Sequence, residues 1–304
     1  KFHTPKTIYD MQSIPKEIVI IGLGVVGAEF AFLFADLGTK VTVVEKKEKL
    51  MPYLDKDLGK FLKRQLSKKK VNLLMGKKAV NYEDDCLVVS DRNNNAQKIK
   101  APIYLLATRR QGNLDGLEYL LNNQLKTTGS YIKTDLQNRT TLANVYAAGD
   151  VNGRYMLAHV ASKEGQIAVE SINGTANDLI YDLMPYNLYA NPEFASVGLT
   201  EQQVKQRGFV YKVGKFPLTA NSKAIIEGED TGFVKIIYEI KYGEILGVHT
   251  VAANATDLIS EAILAMQSEA TIWEIANSVH PHPTLSEVLM EAAYKGLEKP
   301  LHTL

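Results

Sequence analysis

The chain has 304 residues, the length of roughly two domains of ordinary size. Hydrophobic residues make up 45% and charged residues 23%, which excludes a mainly disordered or collagen-like chain. Lys and Arg number 35 against 34 Asp and Glu, and this balance predicts no nucleic-acid surface. The longest apolar runs are far shorter than the ~20 residues that cross a bilayer, so no membrane segment is expected.

The cysteine count narrows the chemistry. Cys86 is the only cysteine, so the sequence excludes an internal disulfide framework and an internal redox-active cysteine pair. It also excludes a zinc site of four cysteines, or of two cysteines and two histidines. The chain starts at Lys1 and has no basic-then-apolar leader, which favours a processed or truncated product.

The first predicted elements form a βαβ unit. The β-branched run Glu17–Ile21 is typical of a buried parallel strand, and a glycine-rich turn follows it at once. Residues 28–37 read as a helix that Gly38 closes, and Lys40–Glu45 reads as a second strand. Two parallel strands require such a crossover helix.

The next elements complete this domain. Their spacing predicts a helix, a third strand, a β-meander and a returning buried strand at residues 55–69, 71–75, 79–100 and 103–107. Residues 108–181 then contain one predicted strand, 145–148, and one predicted helix, 157–172. This is too little for an independent core, so the segment is expected to belong to a domain whose other part is absent.

The last part of the chain changes pattern from about residue 182. Antiparallel strands and two helices are predicted at residues 194–197, 210–216, 233–240, 244–251, 256–267 and 285–294. The fold class is therefore an α/β Rossmann-like domain plus a partial second domain, followed by an α+β domain. The predicted boundaries are 1–107, 108–181 and 182–304.

The glycine-rich turn has the spacing of a dinucleotide-binding fingerprint. Gly22 permits the tight turn, Gly24 lets the backbone approach a pyrophosphate, and Gly27 allows close packing. Glu45 ends the second strand, where a carboxylate accepts hydrogen bonds from the ribose hydroxyls and repels a 2′-phosphate. This favours NAD over NADP, although Lys46 and Lys47 reduce the preference.

Two downstream motifs resemble the pyridine nucleotide–disulfide oxidoreductases. Residues 141–150 are similar to the family's second flavin motif, which implies that Asp150 holds the ribityl chain of FAD. Residues 156–159 resemble the start of the helix beneath the flavin ring, which implies FAD contacts from Leu157, Ala158 and His159. Alone, Asp150 would equally fit a helix-capping or turn residue.

Residues 280–287 (HPHPTLSE) resemble the signature of the dihydrolipoamide dehydrogenases within that family. The resemblance implies that His282 is the acid–base histidine and that Glu287 orients it, which suits thiol–disulfide exchange. His280 is the rival within the motif. A capping box in which Thr284 caps the helix and Glu287 stands at its third position explains the same pattern structurally.

The resemblance implies the cofactors, reaction and partners. It implies FAD and NAD as cofactors, with Glu29 facing the nicotinamide end, and oxidation of protein-bound dihydrolipoamide with reduction of NAD+. It also implies a cytoplasmic homodimer that serves the lipoyl domain of a 2-oxoacid dehydrogenase complex. Apolar helix faces support the dimer, with surface in excess of one domain's core: Ile259, Ile263, Leu264 and Met266, then Val288, Leu289, Ala292 and Ala293.

Some features depart from the family. Its N-terminal FAD-binding unit and cysteine pair are absent, and residues 1–15 resemble the connector that follows them, so the chain is expected to be an inactive C-terminal fragment. Arg109 replaces a glycine near the bound nicotinamide cofactor, where it could obstruct NAD or contact its phosphates. Gln111-Gly112-Asn113 resembles soluble pyridine nucleotide transhydrogenase, which stays an alternative. A non-catalytic NAD-binding, dimerising chain is the other.

Overall fold

A computed structural model describes residues 1–108 and 110–302. Its internal contacts divide the chain into two compact units. The first contains residues 1–108 together with residues 185–302, and the second contains residues 110–184.

A five-stranded parallel sheet forms the first half of unit one, in the order β1-β8-β2-β3-β4. Its central strand is almost fully buried, as the continuous apolar run predicted. Helices α1 and α2 cross between successive strands and complete the predicted βαβ units. The elements are β1 (Phe2–His3), β2 (Glu17–Ile21), α1 (Val25–Asp36), β3 (Lys40–Glu45), α2 (Lys56–Lys68), β4 (Asn72–Met75) and β8 (Ile103–Leu106).

The core of this half lies between the sheet and its helices. Ile20 and Val43 of the sheet and Leu58, Leu62 and Leu66 of α2 are fully buried in one apolar cluster. A predicted β-meander covers another part of the sheet through a second cluster. Its three antiparallel strands are β5 (Lys78–Glu83), β6 (Cys86–Ser90) and β7 (Ala96–Ile99).

An antiparallel sheet forms the second half of unit one, in the order β11-β12-β15-β14-β13. Strand β15 is buried along its whole length because helices cover the sheet. The strands are β11 (Tyr186–Leu188), β12 (Glu193–Gly198), β13 (Tyr211–Pro217), β14 (Phe233–Glu239) and β15 (Ile245–Ala252). The helices are α5 (Glu201–Gln206), α6 (Ser222–Glu227), α7 (Ala255–Gln267), α8 (Ile272–Asn277) and α9 (Glu287–Gly296).

Unit two is small and holds one modest apolar cluster around Leu125, Ile132 and Ala147. Its elements are α3 (Glu118–Asn122), β9 (Thr127–Thr128), β10 (Tyr131–Ile132) and α4 (Ala158–Ile172). The predicted strand at 145–148 was wrong: this segment makes only an isolated bridge, between Tyr146 and Arg139. An apolar run can extend, but a strand also needs a continuous hydrogen-bonded neighbour.

Three further details differ from the expectations. Short helices α5, α6 and α8 were not predicted, because each is a single turn or two without a long apolar period. Helix α9 begins at Glu287 with Ser286 as N-cap, so Thr284 is not the N-cap residue and Glu287 is not at the third position. Among the described residues, no helix has the length and apolarity needed to span a membrane.

Candidate functional site

The glycine-rich turn between β2 and α1 has two glycines that packing requires. Gly22 has a φ of +102°, and a Cβ there would lie 2.6 Å from the carbonyl oxygen of Ala107. A Cβ on Gly27 would lie 2.0 Å from the carbonyl oxygen of Gly22. Both positions therefore exclude a side chain for reasons internal to the fold.

Gly24 is different, because a Cβ there would meet nothing within 4 Å. Its φ of −82° is also open to any residue, so neither packing nor backbone strain explains the glycine. Gly24 is the N-cap of α1 and supplies no side-chain hydrogen bond to the first turn. Open space beside uncapped N–H groups at a helix N-terminus fits a pyrophosphate.

Glu45 lies beside this turn at the end of β3. Its Oε2 accepts a hydrogen bond from the N–H of Leu23 at 2.7 Å, and its Oε1 accepts one from the N–H of Lys47 at 2.8 Å. The carboxylate thus holds the turn in place. Each oxygen keeps a second lone pair, so the group can still accept a ribose hydroxyl.

Glu29 on α1 faces the start of the antiparallel sheet. Its Oε1 accepts a hydrogen bond from the N–H of Tyr189 at 3.0 Å. Burial raises the pKa of the Glu29 carboxyl, although the Tyr189 N–H acts in the opposite direction. Nearby, the rings of Tyr53 and Tyr186 meet edge to face at 5.2 Å. Burial, with Tyr53 and Glu29 nearby, raises the pKa of the Tyr186 phenol.

Asp150 in unit two has a cationic partner that the sequence reasoning missed. Arg110 Nη1 lies 2.7 Å from Asp150 Oδ2, and Arg110 Nη2 donates to the carbonyl of Met156 at 2.9 Å. Arg110 therefore joins the proposed ribityl carboxylate to the segment that leads into α4. The predicted Arg109 lies outside the described residues.

A buried carboxylate fixes the loop that carries Asp150. Glu164 is fully buried and accepts hydrogen bonds from the N–H of Gly149 at 2.6 Å, from Asn152 Nδ2 at 2.9 Å and from the Tyr181 hydroxyl at 2.7 Å. Sequence reasoning passed over Glu164. A single acidic residue on the predicted inward face of a helix was the signal that could have found it.

The start of α4 matches the position predicted for flavin contacts. Leu157 is the N-cap and, being apolar, gives no side-chain hydrogen bond to the first turn. Ala158 and His159 follow as the first two helical residues, and both are exposed. Uncapped N–H groups at this end suit a ligand that presents oxygen or nitrogen acceptors.

His282 and Glu287 meet in the loop before α9. His282 Nδ1 lies 2.9 Å from Glu287 Oε1, and Glu287 Oε2 accepts a hydrogen bond from the N–H of Thr284 at 2.8 Å. The side chain of His282 is 69% exposed, whereas that of Glu287 is 14% exposed. Burial raises the pKa of Glu287, but the Thr284 N–H and the His282 ring outweigh it and hold that pKa below its usual value.

His280 forms a separate pair and does not compete for Glu287. Its Nε2 lies 2.9 Å from Glu261 Oε1 on α7, and its Nδ1 lies 3.1 Å from the carbonyl of Ser278. The ring is nearly buried, at 6% side-chain exposure. Of the two histidines, only His282 therefore presents a ring to solvent beside a carboxylate.

The described residues contain no group of three or more His, Cys, Asp or Glu side chains that could hold a metal ion. The candidate chemistry in unit one therefore rests on two features: the glycine turn with its acidic flanks, and the exposed imidazole paired with Glu287. Both features lie in the regions that match a known family. Residues 3–165 match the pyridine nucleotide-disulphide oxidoreductase family, and residues 184–293 match its dimerisation domain.

The chain belongs to the pyridine nucleotide-disulphide oxidoreductase family. The expected fold class and the expected family resemblance are thereby confirmed. It is an oxidoreductase family, and the second half of unit one is its dimerisation domain.

Individual relatives extend the comparison. The chain is 39% identical over 298 residues to dihydrolipoyl dehydrogenase of Bacillus subtilis, covering 96% of this chain and 63% of the relative. It is 38% identical to mitochondrial dihydrolipoyl dehydrogenase 1 of Arabidopsis thaliana, covering 96% and 59%. The crystal structure of LpdA from Mycobacterium tuberculosis matches with a TM-score of 0.87 at 28% identity, covering 95% of this chain and 63% of that one. The chain thus spans about 60% of the length of these relatives.

Proposed function

We propose that the protein is a dihydrolipoyl dehydrogenase, which oxidises protein-bound dihydrolipoamide with reduction of NAD+. The observation that carries the proposal is the 2.9 Å contact between His282 Nδ1 and Glu287 Oε1. It lies in the same chain as a nucleotide turn flanked by Glu45. The relatives named dihydrolipoyl dehydrogenase support the same assignment.

The nucleotide is held by the turn after β2. The uncapped first turn of α1 receives the pyrophosphate in the space beside Gly24. Glu45 accepts the adenosine ribose hydroxyls and repels a 2′-phosphate, so NAD+ is preferred over NADP+. Glu29, braced by the Tyr189 N–H, lies toward the nicotinamide end.

The dyad handles protons. Glu287 faces Nδ1 of His282, so a neutral ring carries its proton on Nδ1 and leaves Nε2 as the acceptor. Nε2 takes a proton from a dihydrolipoamide thiol and produces the thiolate that is the nucleophile. The Glu287 carboxylate then stabilises the resulting imidazolium.

The residues of unit two fit part of an FAD site. Asp150 and the uncapped start of α4, with Leu157, Ala158 and His159, offer acceptor and donor groups to the ribityl chain and the ring. When bound, FAD supplies two-electron transfer between a thiol pair and the nicotinamide. Cys86 is the only cysteine among the 304 residues, so that thiol pair is not supplied by these residues alone.

The dimerisation domain supports a homodimer, and the 69% exposure of the His282 side chain suits a site completed by a second subunit. We extend the proposal to a lipoyl domain of a 2-oxoacid dehydrogenase complex as the substrate-bearing partner. A cytoplasmic location follows the bacterial relatives, whereas the plant relatives are named mitochondrial. The domain boundaries 1–107, 108–181 and 182–304 belong to this proposal.

A transhydrogenase was the alternative, because of Gln111-Gly112-Asn113. A Cβ on Gly112 would lie 2.4 Å from the carbonyl of Ser130. Local packing thus accounts for that glycine, and it no longer favours a transhydrogenase.

The test is steady-state kinetics on the protein purified from its own organism. We expect dihydrolipoamide to reduce NAD+ with a bound flavin, and His282→Gln to lower kcat by about a hundredfold or more. The Lys212→Met variant is the control, since Lys212 contacts only the exposed Glu298 in the described residues. Transfer between NADPH and NAD+ without a dihydrolipoamide reaction would contradict the proposal and support a transhydrogenase.

A further inference from the structure

A buried lysine joins the two halves of unit one. Lys235 on β14 is fully buried, and its Nζ lies 2.9 and 3.1 Å from the two oxygens of Asp55, 3.2 Å from Asp57 Oδ2 and 2.5 Å from Glu201 Oε2. Asp55 and Asp57 stand at the start of α2, in the nucleotide-binding half. Lys235 and Glu201 belong to the dimerisation half.

Asp55 makes backbone contacts on both sides of this junction. Its Oδ1 accepts the N–H of Asp57 at 2.9 Å and so caps α2, while its Oδ2 accepts the N–H of Glu201, the first residue of α5, at 3.0 Å. One carboxylate thus caps two helices from different halves. Gln202 adds a bond from its Nε2 to the carbonyl of Leu54 at 3.3 Å.

The charges at this junction are balanced by burial and contact. Burial lowers the pKa of Lys235, but the Glu201, Asp55 and Asp57 carboxylates outweigh it, so the pKa stays above its usual value. Buried ion pairs add little net stability compared with apolar packing. They do fix one geometry, because a displaced partner leaves a buried charge uncompensated.

The junction lies at one end of the loop that follows Glu45. At the first end, Glu45 accepts the N–H of Leu23 in the glycine turn at 2.7 Å. At the second end, Asp55 is held by Lys235 and by α5. The ten residues 46–55 between them include buried Met51 and Leu54. The loop beside the ribose-binding carboxylate is therefore anchored on the dimerisation half.

We propose that Lys235 is a positioning residue for the pyridine-nucleotide site. By clamping Asp55 it sets the path of residues 46–55 and thereby the placement of Glu45 against the adenosine half of NAD+. The inference rests on the proposed nucleotide site, and it makes nucleotide affinity depend on a side chain of the dimerisation domain that touches no nucleotide.

The test is calorimetric titration of the 304-residue chain with NAD+, ADP-ribose and nicotinamide mononucleotide. In Lys235→Met, NAD+ and ADP-ribose should bind about fivefold more weakly or worse, the lower end of ordinary coupling between sites. Nicotinamide mononucleotide should bind as it does to the wild type. The matched control is Lys212→Met, which removes an exposed lysine–glutamate contact from β13 and should leave every dissociation constant unchanged.

Glu201→Gln keeps the proposal testable if Lys235→Met fails to fold, because it removes one charge but keeps the side-chain shape. It should weaken ADP-ribose binding in the same direction, whereas Glu298→Gln should not. Unchanged ADP-ribose affinity in a folded Lys235 or Glu201 variant would overturn the inference. A wild-type chain that binds no NAD+ would instead refute the nucleotide site itself.

Discussion

Glu287 Oε1 lies 2.9 Å from His282 Nδ1, while Glu287 Oε2 accepts the N–H of Thr284 at 2.8 Å. The carboxylate is thus held by backbone at one oxygen and orients the imidazole with the other. Because the ring is 69% exposed, its second nitrogen is open to a reactant.

This geometry predicts the tautomer of His282. In the neutral ring the proton should reside on Nδ1, and Glu287→Ala should release that preference because no acceptor then faces Nδ1. The same variant should lose about 1 kcal/mol of unfolding free energy, since the Thr284 N–H loses its acceptor. Nitrogen-15 NMR of the side chain measures the tautomer. A wild-type ring protonated mainly on Nε2 would contradict the assignment.

Two glycines of the nucleotide turn should respond differently to alanine. Gly24→Ala places a methyl group in open space, so the chain should fold normally but bind NAD+ at least about tenfold more weakly. Gly27→Ala brings a Cβ to 2.0 Å from the Gly22 carbonyl oxygen and should cost about 3 kcal/mol of stability or more. Urea unfolding and calorimetry separate the two effects. Equal NAD+ binding by folded Gly24→Ala would argue against the assigned pyrophosphate position.

The local patterns were enough to predict much of unit one. The run Glu17–Ile21, the glycine spacing and Lys40–Glu45 lie within thirty residues, so periodicity and turn chemistry define them. The dyad was equally accessible, since His282 and Glu287 are five positions apart. Their catalytic and binding roles stay predictions.

Other features depend on contacts that one stretch of sequence does not reveal. Asp55 and Lys235 are 180 positions apart, and nothing local marks either as a partner of the other. Arg110 was passed over beside Arg109, because only its contact with Asp150 distinguishes it.

The apolar face of the last helix was read as excess surface. Val288, Leu289, Ala292 and Ala293 are in fact buried within the chain, against the antiparallel sheet. Of the face predicted on α7, Ile259 is buried too, whereas Leu264 is 67% exposed. Amphipathicity indicates that a face will be covered but does not indicate by what.

Leu264 therefore becomes the residue that tests the homodimer. Light scattering at micromolar concentration should give a dimer mass for the wild type, and Leu264→Glu should shift it toward the monomer. Val80→Glu is the matched control, because Val80 is a 50% exposed apolar residue in the β-meander. A wild-type monomer would show that residues 185–302 do not suffice for dimerisation.

His249 predicts how stability depends on pH. Burial lowers its pKa, although Asp55 opposes this, so the folded chain keeps the ring neutral while the unfolded chain titrates near ~6.5. Below that pH the unfolded state binds the extra proton, and the free energy of unfolding falls by up to about 1.4 kcal/mol per pH unit.

The matched variant is His249→Gln, whose amide can replace the Nε2 donor to the Leu199 carbonyl but cannot titrate. Urea unfolding between pH 7.5 and about 5 should show a shallower loss of stability in this variant than in the wild type. Parallel pH profiles would mean that His249 is protonated in the folded chain.

The central claim is that the turn at Gly22–Gly27, with Glu45, is an NAD+ site. Calorimetric titration of the wild-type chain with NAD+ and NADP+ tests it most directly. We expect one NAD+ per chain, bound about tenfold or more tightly than NADP+, because a carboxylate that accepts ribose hydroxyls repels a 2′-phosphate. Glu45→Ala should reduce that preference. Absence of NAD+ binding, or equal or tighter binding of NADP+, would contradict the account.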